Sequence, residues 1–495
     1  MSIRRIMAVI CLSVFALIVG GCALKKAQIR EFTVLIRMMP AQERFFTEKI
    51  IREFEKQKNC KINIAQFNNE QDIERFLKLE AGKKKTEIGL VKTPFELTRE
   101  LVEKGYLKPL TSIIDSARAI MDMAEYHPLA TGLGIIDGIP YYIPRKLETR
   151  VLFYRKSMVA DAVSKFDKHK QRLDKELKVK NGFGLPSGYV LEANPAQWDF
   201  YDMYVIGSIW TNEEYNGVKM GRLAHRGARY GGTALDLIDR SLQLGATKDD
   251  ILRLVSDKTV AMYEWEYRFI KDGLYNQGMW QDLWKGANLY NGIKDGKVFC
   301  TYVQQIDCFL IHGWPDDPAM ASYLPQIDDM GICVVPKAVS FELDSKGAYA
   351  FEGTRSISTG GWWWGIPKTS PNAVLAYDLA RFITSRENNA VECSKFGMIP
   401  VRKDILSNLP QVFDEGWVGE IFKVSIEQMQ QNELTTVPLI KQYNRISLNF
   451  IEAWYKLCVE EPTGTFTSAA LRAQLQKEFE PAQKEILGSD FPAAQ

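Results

Sequence analysis

Between residues 31 and 91 the hydrophobic period switches repeatedly between two and 3.6, and this alternation constrains the fold more than any other stretch of the chain. Residues 31–37 (EFTVLIR) are rich in β-branched side chains and run toward Pro40, the pattern of a strand and its stop. Phe45, Phe46, Ile50, Ile51 and Phe54 then recur at helical spacing with Glu48, Lys49, Arg52 and Glu53 between them, which predicts an amphipathic helix. Residues 61–67 (KINIAQF) alternate again, 72–80 read as a second helix, and 87–91 (EIGLV) form a third strand before Pro94. Strands separated by helices pair in parallel, so the expected fold class is α/β.

A chain of 495 residues has room for roughly three domains of about 150 residues or for two large interleaved lobes. With 46% hydrophobic and 25% charged residues it is neither collagen-like, coiled-coil nor largely disordered. Lys and Arg total 63 against 61 Asp and Glu, and the first 21 residues carry only Arg4 and Arg5, so the chain beyond them is neutral. A nucleic-acid partner is not expected, because phosphate binding calls for a clustered basic excess. Neutrality mildly favours a neutral solute, although local charge can depart from the total.

Arg4 and Arg5 precede an uncharged, mostly apolar run over 6–19, and Gly20, Gly21 and Cys22 follow. That is the layout of a secretory signal (1–21), too short for an ordinary membrane span. Residues 17–22 (LIVGGC) resemble the bacterial lipobox, which implies lipid on Cys22, a tether over 22–30, and an exported lipoprotein held on the membrane and facing the periplasm or cell exterior. The alternative is a plain secretory signal with an incidental cysteine. Ala23 follows Cys22, so the inner-membrane retention Asp of some Gram-negative lipoproteins is absent. The six later cysteines, at 60, 300, 308, 333, 393 and 458, form no C-x-x-C pair and read as buried small hydrophobes. His127, His169, His225 and His312 show no short metal-ligand spacing, so neither metal nor cofactor is expected.

The order of elements and several phrases together resemble family 1 extracellular solute-binding proteins, the sugar-type, maltose-binding-protein-like lipoproteins of ATP-binding-cassette importers. The phrases are 101–110 (LVEKGYLKPL), 137–156 (DGIPYYIPRKLETRVLFYRK), 195–199 (PAQWD), 296–300 (GKVFC), 331–336 (GICVVP), 370–385 (SPNAVLAYDLARFITS) and 397–404 (GMIPVRKD). They follow family order from about 31 to 404, with Arg155 and Gln197 departing from the usual residues. The resemblance implies a two-lobed periplasmic-binding-protein-like fold of type II, with a cleft between lobes joined by crossing hinge strands. Lobe one is expected over 31–142 and 337–398, and lobe two over 143–335 and 400–495. No function attaches to the long stretch 165–233.

A saccharide site needs flat aromatic faces beside charged or amide hydrogen-bonding groups. Residues 360–367 (GGWWWGIP) are the densest aromatic feature, and strand alternation puts Trp362 and Trp364 on one face, cleft-facing or in the core, with Trp363 on the other. By resemblance, the end of the 298–303 strand faces the cleft, so Gln305 and Asp307 are candidate hydroxyl partners and Trp314 a stacking platform; a polar surface loop is the alternative. Glu148 and Arg150 fall on a crossing strand, where they serve a ligand or a structural salt bridge. Arg37 and Thr93 follow parallel strands, where α/β folds usually bind ligands, or merely cap loops. Trp265, Trp280 and Trp284 read as core, and Tyr141 and Tyr142 as strand residues rather than a metal site.

The favoured function is capture without catalysis. A monomeric receptor closes its lobes on a solute, a carbohydrate by preference, and presents it to a permease of two membrane subunits driven by separate ATPase chains. No G-x-x-x-x-G-K-[ST] phosphate loop occurs in this chain. A secreted glycan hydrolase or lyase is the enzyme alternative, weakened by the lack of G-x-S-x-G and H-E-x-x-H motifs. A sensor or surface lipoprotein on the same fold is the third reading.

Overall fold

The computed structural model describes residues 30–314, 318–408, 416–431, 436–461 and 466–492. The signal, the tether and Cys22 lie outside the described residues.

The expected alternation is present. Strands β1 (Arg30–Ile36), β2 (Cys60–Gln66) and β3 (Ile88–Pro94) pair in parallel, with Val34 opposite Ile64 and Leu35 opposite Val91. The helix between β1 and β2 spans 40–58, starts with Pro40 in its first turn, and widens into a π turn at Phe46–Ile51. It buries Phe46, Ile50, Ile51 and Phe54 against the sheet, the stripe its spacing calls for. Asn59, in the left-handed conformation, ends it and turns the chain into β2.

A short hairpin follows, β4 (Ile135–Ile136) and β5 (Ile139–Pro140), turning through Asp137 and Gly138, both at positive φ. Strand β6 (Tyr142–Glu148) runs directly through Thr149 into β7 (Arg150–Arg155), yet the two belong to different sheets. Strands β8 (Leu223–Ala224), β9 (Cys300–Gln304) and β10 (Met330–Cys333) complete the second sheet in the order β10-β7-β9-β8. Strand β11 (Gly360–Gly365) returns to the first, whose order is β2-β1-β3-β11-β6. Thus β6–β7 makes one crossing and the link from β10 to β11 a second. A third passes near Ile399, whose carbonyl accepts from Leu147 N at 3.0 Å.

These pairings move the expected lobe boundaries. Residues 143–148 join the first sheet, not the second lobe, because β6 pairs antiparallel with β11 along its length. Residues 337–359 pack on second-lobe elements: Trp265 Nε1 donates to Val339 O (2.7 Å) and Tyr201 OH to Phe341 O (2.6 Å). The stretch 165–233 supplies most of the helix Lys156–Asn181, the helix Phe200–Asn212 and β8, a layer built onto the second sheet. Trp265 is fully buried against Phe200, Tyr201, Phe269 and Phe341, as its helical spacing suggests. The cysteines at 60, 300, 308, 333, 393 and 458 are buried and unbridged. Among the described residues no helix is long and apolar enough to cross a membrane.

Candidate functional site

Strands β1 and β3 are parallel, and β6 runs the same way because both β3 and β6 are antiparallel to β11. Their carboxyl ends open together into a cavity of about 350 Å³ at the crossing strands, where α/β sheets usually take ligands. Arg37 follows β1, Lys92 and Pro94 end β3, Lys146 and Glu148 end β6, and Trp362 begins β11. The facing wall comes from the second lobe. Arg226, Tyr230 and Gly232 precede or open the helix Gly231–Gln243, Lys285 and Tyr290 bracket the start of Gly286–Lys294, and Gln304 and Asp307 flank the start of Gln305–His312.

The cavity is lined by many charged side chains, and most of them are paired. Arg37 pairs with Glu70, and Lys146 with Glu148, whose second oxygen accepts from Trp362 Nε1 at 3.2 Å. Arg150 pairs with Asp239 and lies 3.2 Å from Asp236, while Arg226 bridges Asp236 (3.5 Å) and Asp307 (3.0 Å). Asp307 also accepts from Tyr290 OH (2.5 Å) and from Gln304 N (3.0 Å), which fixes the start of its helix. Glu96 is 5% exposed. Burial first, and the charges of Glu70 and Glu148 after it, push its carboxyl up to about 8, so it is largely neutral at pH 7. Among the described residues no three His, Cys, Asp or Glu side chains converge as a metal site would require.

Of the residues singled out from sequence, Arg37, Glu148, Arg150, Asp307 and Trp362 are brought together on this wall. Four are not. Thr93 is fully buried, since alternation along β3 turns it away from the side that Lys92 presents. Gln305 is also fully buried and serves the hinge: its Oε1 accepts from Thr149 N (2.8 Å) and its Nε2 donates to Gly397 O (3.3 Å). The stretch after β9 is a helix rather than a loop, and it carries the chain past the cavity, so Trp314 packs on Phe309 and Trp417. Trp364 is two residues deeper along β11 than Trp362 and is sealed by Phe46, with its ring 6.0 Å from that of the helix residue and 5.6 Å from the Arg145 guanidinium. Trp363 turns to Ala130 instead, donating to its carbonyl at 2.8 Å.

Sequence reasoning missed Glu70, Lys92, Glu96, Lys146, Arg226, Tyr230, Lys285 and Tyr290. Lys92 and Lys146 were within reach, because each neighbours a flagged strand end; Arg226 and Lys285 sit in segments with no period to mark them.

The model of the bacterial extracellular solute-binding protein family matches residues 49–415. The chain belongs to that family. The match makes this an exported binding protein and sets aside the hydrolase or lyase reading. Solved structures share the fold of this solute-binding protein. One is maltose-bound T. maritima MalE3, 15% identical with a TM-score of 0.65, covering 90% of this chain and 99% of that one. Another is an ABC transporter solute-binding protein from Thermotoga lettingae bound with α-D-tagatose, at 17% identity and TM-score 0.66, covering 93% and 100%. A third, the Listeria monocytogenes ABC substrate-binding protein in complex with cycloalternan, has 15% identity and TM-score 0.66 over 93% and 99%. No curated protein sequence matches the chain.

Proposed function

We propose that this solute-binding protein captures a short carbohydrate between its lobes and delivers it to a membrane permease driven by separate ATPase chains. The lobes in this reading are residues 30–148 with 360–398, and 150–358 with 400–492, hinged at the crossing strands. Cys22 carries the lipid that holds the receptor, as a monomer, at the membrane surface. Arg37, Glu148, Arg150, Asp307 and Trp362 are the proposed ligand contacts, joined by Glu70.

The observation that carries the reading is the pairing of an aromatic platform with fixed hydrogen-bonding groups at the carboxyl ends of the strands. Trp362 is partly exposed on the cavity wall with its indole N–H held by Glu148. Glu70 keeps one buried oxygen without a partner among the described residues, an acceptor ready for a sugar hydroxyl. A volume of about 350 Å³ holds roughly a dozen waters at about 30 Å³ each, the scale of a one- or two-ring sugar. Fold-sharing proteins bound to maltose, tagatose and cycloalternan support the same class.

A thermal-shift screen against mono- and oligosaccharides, polyamines and peptides tests it, with chromatography of the sugars afterwards. A concentration-dependent rise in melting temperature with an unconverted saccharide is the expected result. Stabilisation by polyamines or peptides alone, or turnover of the sugar, overturns it.

A further inference from the structure

The charges lining the cavity do not balance. Six cationic side chains reach it: Arg37, Lys92, Lys146, Arg150, Arg226 and Lys285. Four of them meet carboxylates: Arg37 meets Glu70, Lys146 meets Glu148, and the two remaining arginines share Asp236, Asp239 and Asp307. Lys92 and Lys285 form no ion pair with a described carboxylate. Lys92 Nζ donates to the Arg37 carbonyl at 2.6 Å and lies 4.0 Å from the Trp362 ring centroid. Lys285 Nζ donates to Asn69 Oδ1 at 2.9 Å, across from the other lobe.

An ammonium group buried with only neutral partners is costly, because it gives up water without gaining a counter-charge. Lys92 is 3% exposed. Burial first, and then the charges of Arg145 and Lys146, push its pKa well below the usual lysine range against the opposing pull of Glu148, so it is an anion arriving beside it that holds the ammonium form. The remaining carboxyl on the wall, Glu96, is held up to about 8 and supplies little negative charge at pH 7. The two lysines belong to one end of the cavity, since Lys92 holds the Arg37 carbonyl, Arg37 pairs with Glu70, and Lys285 holds the adjacent Asn69. Two helices, Gly231–Gln243 and Gly286–Lys294, also present Gly232 and Gly286 to the cavity from their first turns, adding the positive ends of their dipoles.

We propose that the cleft takes a saccharide bearing an anionic group, with Lys92 and Lys285 as its counter-charges. The inference rests on the carbohydrate reading above and names the class of carbohydrate. The shared chemistry is an oxyanion on a sugar ring, whether carboxylate, phosphate or sulfate. Trp362 and Glu70 serve the ring and its hydroxyls, while the lysines serve the charge. Both lysines are compact, rotatable point charges, whereas every arginine on the wall is already held by a carboxylate. The neutrality of the chain as a whole, which by itself favours a neutral solute, is overridden at the site.

Isothermal titration of the full-length protein at pH 7 tests this with matched probes. Glucose and maltose are neutral, glucuronate and galacturonate carry carboxylates, glucose 6-phosphate and glucose 6-sulfate carry the other oxyanions, and acetate and inorganic phosphate lack the ring. One charged sugar is expected to bind at least about tenfold tighter than its neutral parent, with affinity falling as salt rises. Lys285→Gln, at a half-exposed position and with its melting temperature read alongside, is expected to weaken that sugar by roughly 10- to 100-fold, and Lys92→Met similarly. Equal or tighter binding of the neutral parent, or unchanged selectivity in Lys285→Gln, overturns the inference and leaves the carbohydrate reading standing. Binding of ring-less anions alone, or of nothing in the panel, overturns both.

Discussion

Replacing Gln305 by alanine separates a hinge residue from a ligand residue. The side chain is fully buried and joins two of the crossing segments, accepting from Thr149 N at 2.8 Å and donating to Gly397 O at 3.3 Å. Alanine takes this acceptor from one backbone group and this donor from the other, in a site closed to bulk water. Losing a partner costs a buried polar group about 1–3 kcal/mol, so the two together cost roughly 2–6 kcal/mol. Gln305→Glu keeps an acceptor for Thr149 but, when ionised, turns a carboxylate onto the Gly397 carbonyl in a site closed to water, so it recovers none of that loss. Guanidinium unfolding reads the stability of wild type and both variants, and titration of the bound saccharide reads affinity. A marked fall in the unfolding midpoint of both variants is expected. An unchanged midpoint accompanied by lost ligand affinity refutes the hinge assignment and returns Gln305 to the ligand.

The tryptophan pair separates the same way: Trp364→Ala opens a core cavity worth about 3–5 kcal/mol of stability, whereas Trp362→Ala, at a partly exposed position, costs less stability than Trp364→Ala and weakens saccharide binding, both read by unfolding and titration. For Glu96, the folded state holds its proton up to about 8 while the unfolded chain releases it near 4.5. The folded state therefore binds more protons between those values, and this group's contribution to stability falls as pH rises through them, by about 5 kcal/mol at 1.4 kcal/mol per unit. Glu96→Gln should flatten the stability profile between pH 5 and 9 relative to wild type, measured as the difference between their unfolding free energies. Cys22→Ala should abolish incorporation of labelled fatty acid and move the protein from the membrane to the soluble fraction; retained label contradicts the lipobox reading.

How much of this was legible in the sequence depended on whether the determining contacts were local. The first three strands and the intervening helices declare themselves, because each buries one face and its period shows. The end of β3 did not. The strand continues past Val91 to Pro94 because β11 pairs along it, with Trp362 opposite Pro94, and that partner lies more than 250 residues away in the chain. The same distant partner draws 143–148 into the first sheet. Choosing Thr93 over Lys92 was an error of one residue, which in a strand is an error of face. The aromatic run at 362–364 reads as a strand, but nothing in it tells that Phe46, from the first helix, covers Trp364 while leaving Trp362 on the cavity wall. Charge neutrality over the whole chain concealed a local excess, since Lys92 and Lys285 come from different lobes and only the fold puts them on one cavity.

The central claim is that two lobes close on a carbohydrate, and small-angle X-ray scattering of the full-length protein with and without saturating saccharide tests it most directly. A ligand-dependent fall in the radius of gyration, lost in Trp362→Ala at the same saccharide concentration and accompanied by no conversion of the sugar, is the result predicted. A scattering profile that no saccharide alters contradicts it.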